Sequence, residues 1–222
     1  MDISANLISA ATIWPSWVLL AIVAFRAIMT APWVRLTEPD STHVYFGAIV
    51  ALMVLWQLNT GTIVGNHFHF LGATTLFLMF GWQFALFAIS LLVLSNMLLT
   101  TTGGETLALN ILLMGALPIG ISRALLWLTQ RHLPANFFIY IFLNAFLAAA
   151  LSLFTVGMTG HVILSMNDAL SHTQPLSEFI IVVIMMSMPE GTLNGILMTG
   201  TVLYKPEWVS TFHDRKYFGP KT

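Results

Sequence analysis

Seven apolar runs fill most of this chain, and their length limits what it can fold into. They cover Ala11–Ala31, Val44–Leu58, Phe68–Phe80, Trp82–Leu99, Leu107–Leu128, Ala135–Gly157 and Leu176–Tyr204. About 20 apolar residues suffice for a helix to cross the hydrocarbon layer, and a helix satisfies its own backbone hydrogen bonds there. Charged residues make up only 8% of the 222 residues, against about 25% in soluble domains, so there is too little polar surface to cover a soluble globule. The expected fold is all-α: a polytopic integral membrane protein of about seven transmembrane helices. It forms a single domain over residues 1–222, with a short polar tail at 209–222. The third run is short for a span, and the stretch before it, LNTGTIVGN, is rich in turn formers. A re-entrant or tilted element buried against protein is expected there.

The N-terminus, MDISANLISA, carries an acid and no base. A secretory signal peptide begins with positive charge, so the first run is expected to be retained as a helix, with Met1 as the mature end. The net charge of −1 argues against nucleic acid as a partner. With no cysteine in the chain, a metal ion would have to rest on nitrogen, oxygen or thioether sulfur.

Basic residues in short loops set orientation. With the N-terminus outside and seven spans, Arg35 and Arg131 fall in inner loops, and Lys205, Arg215, Lys216 and Lys221 in a cytoplasmic C-terminal tail. Arg26 and Arg123 lie in the inner halves of their helices, where long stems reach the interface. All eight basic residues then share the cytoplasmic side of the inner membrane. The same layout puts His43, His132 and His213 inside and His67, His69, His161 and His172 at or near the outer face. Four outer histidines without an outer lysine or arginine do not repel a divalent cation.

His67 and His69, in GNHFHFLGA, are the first candidates to hold one. On an extended backbone residues two apart point the same way, whereas on a helix they diverge by about 200°. Neutral imidazole suits nickel, cobalt, copper and zinc. The alternative is that each ring only hydrogen-bonds loop carbonyls. His161, His172, Met158, Met166 and Asp168 are read as sharing the loop between the sixth and seventh runs, either closing over a pocket or simply solvated. Met185, Met186 and Met188 read as packing.

Glu190, in SMPEGTLNG, is an intramembrane carboxyl and so a functional candidate. Its structural alternative is that it or Asn194 satisfies backbone groups freed by Pro189, or pairs with another helix. Arg123 is a possible ion partner for it. Gly191 and Gly195 form a small-xxx-small face suited to close helix contact. The chain has no GxxxxGK[ST], HExxH or GxSxG motif, so it is not expected to be an enzyme, and ATP-driven work would come from another subunit.

HFLGATTLFLMFGWQFALFAISLLVL, TTTGGETLALNILLMG and MPEGTLNGILMTGTVLYKPEW together resemble the CbiM/NikM family over about Gly61 to Trp208. Those proteins are the substrate-binding membrane components of energy-coupling-factor ABC transporters for cobalt and nickel. The resemblance implies capture of Co²⁺ or Ni²⁺ outside, beside a transmembrane coupling protein and two ATPase subunits, with no enzymatic cofactor. It also implies an ion held near the N-terminus by the terminal amine, the second residue's amide and imidazole, and the histidine of HxLG. Here Met1 would supply the amine and His69 the HxLG imidazole. Asp2 stands where the family has histidine. Either His67 replaces the lost imidazole, with Asp2 adding an oxygen, or the site has changed or lost its metal. Asn110 and Asn96 could orient the ligands or join helices. The competing functions are a membrane assembly or chaperone factor and an importer of another metal such as copper.

Overall fold

The computed structural model describes residues 3–37, 39–57, 60–63, 66–99, 104–170, 175–213 and 217. Seven helices account for nearly all of them: α1 (Ala10–Thr30), α2 (Pro39–Gln57), α3 (Ala73–Phe80), α4 (Trp82–Leu99), α5 (Gly104–His132), α6 (Phe137–Met166) and α7 (Leu176–Tyr204). Five of these, α1 and α4–α7, are long and apolar enough to cross a membrane, while α2 offers a shorter apolar stretch, Ser41–Gln57. The protein is a multi-pass, all-α membrane protein. One small ribbon interrupts it, where β1 (Thr60–Ile63) pairs antiparallel with β2 (Asn66–Phe68).

The centre of the bundle is α5, α6 and α7, with α3 and α4 packed against it. α1 packs on α4 and α5 yet leaves Trp14, Val18, Ile22 and Phe25 exposed. In water such a face would be untenable; in lipid it costs nothing. Close approach of the central helices depends on small residues. A Cβ on Gly191 would stand 2.8 Å from the Phe146 carbonyl oxygen, and one on Gly157 2.9 Å from a Val183 methyl. The small-xxx-small face of α7 therefore does pack against α6. Polar side chains add interhelical bonds, including Thr74 to Ser122 at 2.8 Å and Thr129 to Asn144 at 2.7 Å.

α6 corrects one sequence expectation. The sixth run was expected to end at Gly157, with His161, Met158 and Met166 in the following loop. The helix instead continues to Met166, and the turn carries Asp168 in a left-handed conformation at φ 53°. Gly157 ended the expected run and Gly160 fell in the expected loop. Both are buried, and Gly157 is a point of close packing on α7 rather than an end. Two π-helical stretches also occur, Leu112–Ala116 in α5 and Tyr140–Leu147 in α6. The first precedes Pro118, whose ring and missing N–H disrupt the regular ladder.

α3 is the short third run, and it does not span. Its eight residues reach only about 12 Å at ~1.5 Å per residue, against a hydrocarbon layer of about 30 Å. Six of them are buried, so the element is enclosed by protein, as the sequence suggested. Its C-terminal carbonyls are met by the chain beyond α7: Ser210 N–H donates to Met79 O at 2.9 Å and the Thr211 hydroxyl to Leu78 O at 2.8 Å. A turn of one residue, Gly81 at φ 85°, then leads into α4.

The packing at α7 yields a graded expectation. Gly191→Leu forces a side chain into the Phe146 backbone and should lower stability by roughly 1–3 kcal/mol. Gly200→Ala, at a position where nothing lies within 4 Å of the added Cβ, should be neutral or better. Thermal melts of the two variants in the same detergent separate these outcomes.

Candidate functional site

The segment His69-Phe70-Leu71-Gly72 links the β ribbon to α3, and the α7 side chain Glu190 holds it. Leu71 N–H donates to Glu190 Oε2 at 2.9 Å and Gly72 N–H to Oε1 at 3.0 Å. One turn on, Asn194 Oδ1 accepts from both the backbone N–H (3.1 Å) and the hydroxyl of Thr75. Asn194 Nδ2 in turn donates to Glu190 Oε1 at 3.0 Å. The first N–H groups of a helix lack intrahelical acceptors, and burial makes each unmet donor costly, about 1–3 kcal/mol. Glu190 and Asn194 supply those acceptors for α3. Glu190 is 1% exposed and lies at the midpoint of α7, fourteen residues from either end.

The sequence left Glu190 open to several roles, and the structure settles its contacts. It satisfies backbone groups, but those of α3 rather than those freed by Pro189. Arg123 is not its partner; the guanidinium lies 5.6 Å over the Trp82 ring. Gly72 is fixed for a second reason. It adopts φ 64°, and a Cβ there would stand 2.5 Å from a Leu52 methyl, so the glycine of HxLG is demanded both by backbone conformation and by space.

His69 itself is buried, at 8% exposure. Its ring packs against the indole of Trp56 at the end of α2, with centroids 4.2 Å apart and planes inclined by 37°. Its Nδ1 lies 3.3 Å from the Phe70 carbonyl oxygen. The backbone of His67 is on β2, paired with Gly61, so the approach to His69 is extended as the sequence suggested. The His67 side chain lies outside the described residues, as do Met1, Asp2 and His172.

The described N-terminus is anchored in the interior. Ile3 N–H donates to Asn110 Oδ1 at 3.0 Å, and Asn110 Nδ2 donates to Ile3 O at 3.1 Å. Ile3 is 1% exposed, and Asn110 sits six residues into α5, about 9 Å from its start at ~1.5 Å per residue. Ser9 meanwhile bonds Asn167, just beyond α6, at 2.9 Å. Residues 3–9 thus run from the rim of the bundle inward. Asn110, one of two asparagines considered as orienting residues, holds this segment; Asn96 is half-buried on α4. His161 packs on Phe179 within the helical bundle, centroids 4.5 Å apart. Among the described residues, no three His, Cys, Asp or Glu side chains form a group able to hold a metal ion.

Sequence reasoning did not find Trp56 or the Ser210–Thr211 cap. A tryptophan at a helix end carries no local signature, and a cap supplied from 132 and 133 residues away cannot be seen in the local sequence.

Comparison with known proteins gives two findings. Residues 2–208 match the family model CbiM, described as the cobalt uptake substrate-specific transmembrane region. A solved structure described as a truncated transition metal transporter superposes with a TM-score of 0.69 and 17% sequence identity, covering 93% of this chain and 99% of that one. At that identity the likeness is one of fold. No curated protein matches the sequence.

Two substitutions test the anchors. Glu190→Ala leaves the Leu71 and Gly72 N–H groups without their acceptor. Amide hydrogen exchange across residues 69–80 should then accelerate at least tenfold, with a lower melting temperature. Asn110→Ala should accelerate exchange over residues 3–9 and leave 69–80 unchanged.

Proposed function

Because the chain belongs to the CbiM family of cobalt uptake transmembrane components, we propose that it captures Co²⁺ or Ni²⁺ at the non-cytoplasmic face of the inner membrane. The ligands in this reading are the Met1 amine, an Asp2 oxygen, and the imidazoles of His67 and His69. His67 takes over from the histidine that the family carries at the second position. The ion is the cargo, and it passes to the cytoplasm when a transmembrane coupling protein and two ATPase subunits drive release.

One observation carries the proposal. Ile3, the residue that follows Asp2 in the chain, and the candidate ligand His69 are both buried in an otherwise largely apolar interior, and each segment is tied down by dedicated side-chain hydrogen bonds. Holding the Ile3 backbone and an imidazole inside an apolar bundle costs desolvation, and preorganised ligand-bearing segments are a return that justifies it. Imidazole and amine nitrogens bind late first-row divalent ions well, and a site free of thiolate disfavours the softest competitors.

The ligands bind only when deprotonated, so affinity has a definite pH sign. As pH falls, protons compete with the ion for the imidazole and amine nitrogens. Binding should weaken steadily from pH 8 to pH 5. Isothermal titration of the protein bearing an untagged N-terminus measures this directly. His69→Ala and His67→Ala should each cut Ni²⁺ or Co²⁺ affinity at least tenfold. Wild-type affinity in the double variant, or a flat pH profile, would refute the ligand set.

A further inference from the structure

Trp56 is the one buried side chain whose polar atom lacks a hydrogen-bond partner among the described residues. Its Nε1 is enclosed, the residue is 2% exposed, and its ring lies against His69. Indole offers one donor and no acceptor, and a buried indole N–H ordinarily has a partner. Two more exposed tryptophans have theirs: Trp17 donates to the Glu105 carbonyl and Trp33 to the Ile28 carbonyl, both at 3.1 Å. If position 56 served packing alone, phenylalanine or leucine would fill it without stranding a donor. The stranded donor stands instead beside the imidazole of HxLG.

A bare metal cation cannot accept a hydrogen bond. An acceptor that the loaded site brings to the indole is an oxygen in the ion's coordination sphere, and an N–H bond to an anionic oxygen is of the stronger, charge-assisted kind. We propose that Trp56 is a specificity-determining residue of the capture site, its indole N–H donating to an oxygen ligand of the ion that His69 holds. This rests on the capture reading above and adds to it. The oxygen donor of the mixed nitrogen and oxygen set is held by Trp56, which thereby selects for ions that accept such a set. The oxygen has two sources, the Asp2 carboxylate or a metal-bound hydroxide, and both present the same acceptor to the indole.

The test uses the full chain with a free N-terminus in detergent, titrated with Ni²⁺ and with Co²⁺. Trp56→Phe keeps an aromatic ring on His69 and deletes the N–H. Affinity should fall roughly tenfold or more, the ratio expected for one hydrogen bond to a charged acceptor, and the visible absorption of bound Co²⁺ should shift. Repeating the comparison in an Asp2→Ala background identifies the source. If the oxygen belongs to Asp2, Trp56→Phe has no further effect there; if it is hydroxide, the same loss recurs. Should Trp56→Phe fail to fold, benzothienylalanine at position 56 retains the bicyclic shape and removes only the N–H. Wild-type affinity and an unchanged Co²⁺ spectrum in either variant overturn the role of Trp56 while leaving the capture reading intact. A wild-type protein that binds neither ion overturns both.

Discussion

A carboxyl group at the midpoint of α7 accepts two backbone N–H groups from the segment that opens α3, and the placement of the loop bearing His69 depends on that contact. A helix of eight residues has almost no hydrogen bonds of its own to spare, because its first N–H groups and last carbonyls lack internal partners. In contact with lipid those groups would be prohibitively costly. Here Glu190 and Asn194 meet the N-terminal end, and Ser210 and Thr211 meet the C-terminal end. α7 and the turn beyond it therefore form a bracket around α3. The bracket lets a segment far too short to span lie inside the bundle.

The bracket has a counterpart at the N-terminus. Asn110 exchanges two hydrogen bonds with the backbone of Ile3, the pairing one strand residue makes with another, supplied here by a side-chain amide. Both interior segments are thus held by polar side chains on long helices, and the helices are fixed by apolar packing and by glycines that admit close contact. A rigid frame of this kind can hold ligand-bearing segments in place without ordering them anew at each binding event. That is the physical argument behind the ion site proposed above, and the unpartnered indole N–H of Trp56 beside His69 is the observation from which its further role is proposed.

Much of the fold is legible in local sequence. Trp82–Leu99 and Leu176–Tyr204 coincide with the observed helices to the residue, because uninterrupted apolar runs flanked by turn residues leave little choice in lipid. The short third run was legible for the same reason in reverse. The sixth was not: the run was ended at Gly157, yet in a packed bundle a glycine inside a helix is often where another helix comes near. Around the candidate site, Asn110 and the HxLG motif drew attention through the family resemblance. Trp56 did not, and Glu190 was noticed but could not be given its partners.

The sequence by itself determined that this chain is a bundle of membrane helices, that it carries too little charge to cover a soluble globule, and that a few histidines and one intramembrane carboxyl, Glu190, stand out from its apolar runs. Hydrophobic length and backbone self-satisfaction in lipid are local properties, so they can be read in order along the chain. Only the tertiary structure decided that Glu190 serves the HxLG segment rather than Arg123, that Asn110 holds Ile3, and that Trp56 lies on His69. Those pairings join residues 107 and 119 positions apart in two cases, and hydrogen bonds between such distant partners depend on how helices pack, which no local pattern specifies.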